Sequence, residues 1–134
     1  MIVADSSVWI EFLRRTETPA DLTLTRLIQE RAEIAMTEPV LMEVLAGANP
    51  AEADRLRDRL LSLPLLPLQA LSDFEQAATI YRACRAGGDT IRSILDCLIA
   101  AIALRADAEV LHHDADFDAI ARTTGLRIRA LDPA

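Results

Sequence analysis

Between Ile94 and Leu104 the chain reads ILDCLIAAIAL, eleven residues of which only Asp96 is charged. A helix that is apolar almost all round has no face to offer water, so other elements must enclose it. An ionised carboxylate buried there costs on the order of several kcal/mol unless it is paired or binds a cation. One alternative for Asp96 is purely structural: it lies in the first turn of its helix, where it would stabilise free amides, with Arg92 as its partner. Whatever its role, a chain with a fully enclosed helix needs enough mass to enclose it. At 134 residues it is expected to form a single domain over residues 1–134, able to bury roughly 68–70% of its unfolded surface.

Around that helix, apolar runs and helical periodicity alternate. Met1 to Ala4 reads as a strand ending in Asp5, followed by a helix over Ser7 to Arg15 capped by Ser6 or Ser7. A helix marked by Leu22, Leu24, Leu27 and Ile28 precedes a short strand at Glu33 to Thr37, and Pro39 suits the first turn of a helix reaching Gly47. Ala51 to Leu61 is a charged amphipathic helix, whereas Leu63 to Leu68 carries two prolines that confine any strand to a sheet edge. Ser72 with Glu75 has the form of a capping box for a helix over Asp73 to Arg85, which Gly87 and Gly88 end. A helix over Ser93 to Arg105, a strand at Glu109 to His112, a helix over Asp116 to Thr123 and an alternating strand at Leu126 to Leu131 complete the chain. Strands alternating with helices predict an α/β domain with a mainly parallel sheet.

Three aspartates then acquire a common address. In open α/β sheets, ligands bind outside the carboxyl ends of the strands. Asp5 closes the first strand, Asp114 follows the strand at Glu109 to His112, and Asp116 lies two residues on, where it could cap the last helix or turn toward Asp114. Each could be a helix cap taken alone, a common use of Asp. Glu43 sits within VLMEVLA, and a mid-helix glutamate is often just a solvated residue of good helix propensity. Asp118 reads as a surface residue favouring the helix dipole.

Several carboxylates at one edge repel strongly in a partly buried place and call for a cation. An all-carboxylate set suits Mg²⁺ or Mn²⁺, while zinc would ask for Cys or His. Magnesium binds through one or two carboxylates plus substrate phosphate, which points to phosphoryl transfer or phosphodiester hydrolysis. His112 and His113, adjacent on a strand, point to opposite faces and make a poor shared metal site. Cys84 and Cys97 lack ligand spacing and read as small buried hydrophobes.

Charge and composition narrow the field further. The net charge of -7 is the wrong sign for gripping nucleic acid through a broad basic face. No lysine occurs, all 14 basic residues being arginine, which removes Walker-type phosphate loops and Schiff-base chemistry and disfavours receiver-type phospho-switches. With 51% hydrophobic residues, no apolar stretch of the ~20 residues needed to span a bilayer and no leader pattern, the expectation is a cytoplasmic protein with no membrane role. Trp9 and Tyr81 give little surface for stacking bases.

Four segments carry a family likeness. IVADSSVWIEF, TEPVLMEVLAG with Glu43, SILDCLIAAIAL with Asp96, and VLHHDADFDAI with Asp114 and Asp116 resemble, in order and spacing, the motifs of a PIN-domain ribonuclease of the VapC toxin type. The resemblance covers nearly the whole chain. It implies a three-layer α/β/α domain with a central, mainly parallel sheet, one or two Mg²⁺ or Mn²⁺ ions held by Asp5, Glu43, Asp96, Asp114 and Asp116, and RNA hydrolysis by a metal-activated water. It further implies a homodimer and a small cognate antitoxin whose C-terminal segment reaches the acidic pocket. Asp5, Asp96 and Asp114 are the first-choice ligands, with Glu43 and Asp116 at a second metal or holding a water. Ser6 is expected to support Asp5. Arginines such as Arg14, Arg15, Arg82, Arg85 and Arg92 would hold RNA around an acidic pocket. His112 departs from the pattern, which has Thr or Ser two positions before the fourth-motif aspartate. A catalytically silent relative that sequesters RNA or a protein is the competing reading. A haloacid dehalogenase-type phosphatase would want Asp-x-Asp after the first strand and a lysine, and here the strand ends Asp5-Ser6-Ser7.

Overall fold

The computed structural model describes residues 1–134. In chain order it contains β1 (Ile2–Ala4), α1 (Ser6–Arg14), α2 (Pro19–Gln29), β2 (Ile34–Ala35), α3 (Glu38–Ala46), α4 (Ala53–Leu60), α5 (Ala70–Ala86), α6 (Ile94–Arg105), β3 (Glu109–Leu111), α7 (Ala115–Thr123) and β4 (Ile128–Arg129). The four strands form one parallel sheet in the order β2-β1-β3-β4. The chain runs from β1 outward to β2 one way and from β3 outward to β4 the other, and helices cover both faces in three layers. α1 packs on α2, while α5, α6 and α7 pack on one another.

Burial follows the sequence pattern. Asp96 through Ala103 are all buried, which is the enclosure that ILDCLIAAIAL demanded. Ile99 and Ile102 meet a core that includes Val3, Val110 and Leu111 of the sheet, Leu24 of α2, and Phe117 and Ile120 of α7. A second anchor fixes the far end of α6. Arg105 donates from Nε and Nη2 to the buried carboxylate of Asp73 at 3.0 and 2.9 Å, and from Nη2 to the Pro67 carbonyl at 2.7 Å. Such a two-pronged pair holds position as well as charge, and it keeps the Asp73 carboxyl below its ordinary range.

Three local expectations need correction. Helix α1 is capped by Asp5, whose side chain accepts from the Ser7 amide, and not by Ser6 or Ser7. Ser72 and Glu75 form no capping box. The helix begins earlier, at Ala70, and Asp73 reaches back to accept from the Gln69 amide at 2.7 Å. Leu63 to Leu68 does lie at the sheet edge, as expected, contributing a single parallel bridge, Leu65 beside Met36, at the outer edge of β2. The two prolines there leave too few amides for a ladder. The last strand is shorter than its alternation predicted, spanning only Ile128–Arg129. No helix is long and apolar enough to cross a membrane.

The enclosed helix should dominate stability. Ile99→Ala is expected to lower the unfolding free energy by about 2–5 kcal/mol, whereas Leu71→Ala, at a side chain 74% exposed, should change it by less than about 0.5 kcal/mol. Urea denaturation of both variants measures the contrast.

Candidate metal centre

The connections leave β1 and β3 in opposite directions, so a crevice opens between the carboxyl ends of these neighbouring strands. Asp5 sits at the end of β1, its amide donating to the Leu111 carbonyl of β3 at 2.9 Å. One carboxylate oxygen, Oδ2, accepts from the Ser7 hydroxyl at 2.7 Å and the Ser7 amide at 3.2 Å. The other, Oδ1, is buried without a partner. Ser7 Oγ also accepts from the His113 amide at 3.0 Å, tying the turn after β1 to the turn after β3. Ser7, not Ser6, is therefore the residue that supports Asp5. Ser6 donates instead to Glu43 Oε1 at 3.1 Å, which holds the α3 glutamate over the same crevice.

Asp96, Asp114 and Asp116 come closest together, with one carboxylate oxygen of each lying within 4.8 Å of the others. Asp114 caps α7 by accepting from the Asp116 amide at 2.9 Å. Asp116 turns away from its own helix and accepts from the Arg92 and Ser93 amides at 3.1 and 3.0 Å, fixing the entry to α6. Asp96 has no such donor, and its Oδ2 is buried unpartnered. Arg92 is not its partner: the guanidinium lies 3.4 Å from Asp114 and 3.7 Å from Asp116, largely in solvent. The structural alternative for Asp96, an ion pair with Arg92 alongside first-turn amides, thus lacks its ion pair.

Electrostatics marks the same place. Burial, then the charges of Asp5 and Asp114, push the Asp96 carboxyl up to about 9. Asp5 is raised by burial against the opposing pull of Ser7, and Glu43 is raised by partial burial and the charge of Asp5. The unpaired oxygens Oδ1 of Asp5 and Oδ2 of Asp96, in an all-oxygen donor set, fit a hard divalent cation of the Mg²⁺ or Mn²⁺ kind. Glu43 and Asp5 couple electrostatically to the Asp96, Asp114 and Asp116 group across this crevice.

What the sequence missed lies beside them. His112 is buried and His113 exposed, which agrees with their opposed directions, and both border a cleft of about 430 Å³ shared with Asp114 and Asp118. Asp118 is exposed in the first turn of α7, as expected, and its Oδ1 lies 3.3 Å from His112 Nε2. Neither contact was visible in the residue pattern, because it depends on how the turn after β3 folds back.

Comparison with known proteins follows the same lines. Residues 2–123 match the PIN domain family. The chain is 48% identical over 129 residues to "VapC ribonuclease Mb1587" of Mycobacterium bovis, covering 95% of this chain and 96% of the relative. It has the same identity and coverage against "Ribonuclease VapC11" of Mycobacterium tuberculosis. Among solved structures, VapBC2 from Rickettsia felis bound to a promoter DNA fragment superposes with a TM-score of 0.73 at 20% identity, covering 98% of this chain and 100% of the other.

The raised carboxyls predict an unusual pH response. Unfolded, Asp96 releases its proton near the ordinary value, while the folded protein keeps it up to about pH 9. In that interval the unfolded state binds fewer protons, so stability falls as pH rises. In EDTA, the melting temperature should decline steadily from about pH 5 to about pH 8. Asp96→Asn should flatten the decline and add about 1–2 kcal/mol at the upper end. Thermal melts across this range provide the check.

Proposed function

Because the chain belongs to the PIN-domain family, in its VapC branch, we propose that it is a divalent-metal-dependent endoribonuclease, the toxin of a toxin–antitoxin pair, acting as one domain over residues 1–134. The observation that carries this reading is the pair of buried, unpartnered carboxylate oxygens on Asp5 and Asp96, facing Asp114 across the strand-end crevice. A module that only sequestered a partner would have no need of such a costly arrangement. The ribonuclease names of relatives at 48% identity over 95% of the chain support the activity.

In this reading Asp5, Asp96 and Asp114 hold the ion, and Glu43 and Asp116 complete the set at a second ion or through a held water. A divalent cation bound there supplies neutralisation of the phosphate charge and eases ionisation of the attacking water. The chain's own residues do the rest. Glu43, fixed through Oε1 by Ser6, has Oε2 free to take a proton from water attacking phosphorus in line. Asp116 holds the Arg92 and Ser93 amides and so keeps Asp96 at the crevice. Arg92, 74% exposed at the rim, is positioned to meet a substrate phosphate that the acids would otherwise repel.

Partners follow from surfaces elsewhere. A cleft of about 450 Å³ between α1, α3 and α4 has an apolar floor of Ile10, Leu13, Val44 and Leu56 rimmed by Arg14 and Arg55, which suits an amphipathic segment of an antitoxin. Exposed Leu71 and Phe74 on α5 support a homodimer. The VapBC complexes among similar structures are consistent with the antitoxin.

Purified protein should cleave RNA internally with Mg²⁺ or Mn²⁺ and stop in EDTA. Asp5→Asn and Asp96→Asn should abolish cleavage while retaining the circular dichroism of the wild type. Full activity in EDTA would sink the metal mechanism, and RNA binding without cleavage under any ion would favour the sequestering module.

A further inference from the structure

His112 does something that none of the acids can do for themselves. Its ring is buried, only 8% exposed, and stacks at a tilt of 36° on Phe117 with ring centres 5.2 Å apart. The Nδ1 atom accepts a hydrogen bond from the Asp114 amide at 3.0 Å. A nitrogen that accepts carries no proton, so the ring proton sits on Nε2, which lies 3.3 Å from Asp118 Oδ1. The side chain of one residue thus accepts from the amide two positions on, the same closure that Asn, Asp, Ser and Thr make in Asx and ST turns. Asp114 is then held at both ends: its amide by the imidazole, and its carboxylate by the Asp116 amide at 2.9 Å.

We propose that His112 is a positioning residue of the acidic site, its Nδ1 fixing the Asp114 backbone amide. This rests on the reading of Asp114 as an ion ligand. It also accounts for the departure from Thr or Ser at this position, since a hydroxyl closes the same turn. Groups that orient metal ligands typically change affinity by about 10–100-fold when lost.

Substitution separates the bond from the packing. His112→Phe keeps the bulk and the stack on Phe117 but has no acceptor, whereas His112→Asn and His112→Thr keep an acceptor and lose the stack. Calorimetric titration of the full chain with Mn²⁺ should show affinity falling about 10–100-fold in the Phe variant and within about threefold of wild type in Asn and Thr. Melting temperatures should rank the opposite way, with Phe the more stable. A role in packing alone predicts Phe nearest wild type in both measurements, and that result overturns the proposal. Should the Phe variant not fold, long-range ¹H–¹⁵N spectra of the wild type decide the point. An unprotonated Nδ1 upholds it, and a protonated Nδ1 refutes it. Asp114→Asn serves as the reference: undiminished Mn²⁺ affinity there defeats the ligand reading of Asp114 and this inference with it, while weakened affinity there with an unaffected Phe variant defeats the inference alone.

Discussion

Like charges that must share a buried crevice set the terms for the rest of this structure. Burial, and then the charges of Asp5 and Asp114, raise the cost of ionising Asp96, and burial with the charge of Asp114 raises it for Asp5. Ser7 offsets part of that cost through Oδ2 of Asp5, but Oδ1 of Asp5 and Oδ2 of Asp96 have no donors. The scaffold is what holds them. Asp5 is clamped by Ser7, Ser7 by the His113 amide, Asp114 by His112, and the start of α6 by Asp116. At the other end of α6, Arg105 is locked onto Asp73. The enclosed helix is therefore held at both ends, which keeps Asp96 from swinging out to water.

Much of this was legible in the sequence, because burial and strand-end placement leave marks that a residue pattern records. Asp96 stood out as the one charge in an apolar window, and Asp5 and Asp114 each follow a short apolar run. Glu43 could only be placed by resemblance, since a mid-helix glutamate is unremarkable until Ser6 is seen holding it. What stayed illegible were choices between neighbours: Asp5 over Ser6 as a cap, Ser7 over Ser6 as its support, Asp114 and Asp116 over Asp96 as the Arg92 partners. These turn on side-chain direction within a single turn, which spacing does not encode. Segment ends were also hidden, because Arg15, Arg31 and Asp107 take the left-handed conformation where a glycine would have signalled the stop.

The charge pattern bears on the proposed ribonuclease activity, because an acidic protein would have to draw RNA in locally. With a net charge of -7 there is no broad attraction, so any phosphate must be drawn in locally. Arg92 stands over Asp114 and Asp116 at the rim of the crevice. Of the other proposed arginines, Arg14 lines the cleft between α1, α3 and α4, Arg15 is exposed just after α1, and Arg82 and Arg85 lie on the exposed side of α5. A divalent ion held there would cancel part of the local negative charge, which would ease the approach of a phosphate.

The central claim is that these carboxylates form one ion-binding site, and ligand-linked stability tests it most directly. A ligand that binds only the folded state adds about 2.7 kcal/mol at a hundredfold excess over its dissociation constant. Thermal melts of the wild type and Asp5→Asn, each with and without Mg²⁺, should show the wild type stabilised by that amount and the variant distinctly less. Equal stabilisation of both proteins, or none of either, would contradict the account.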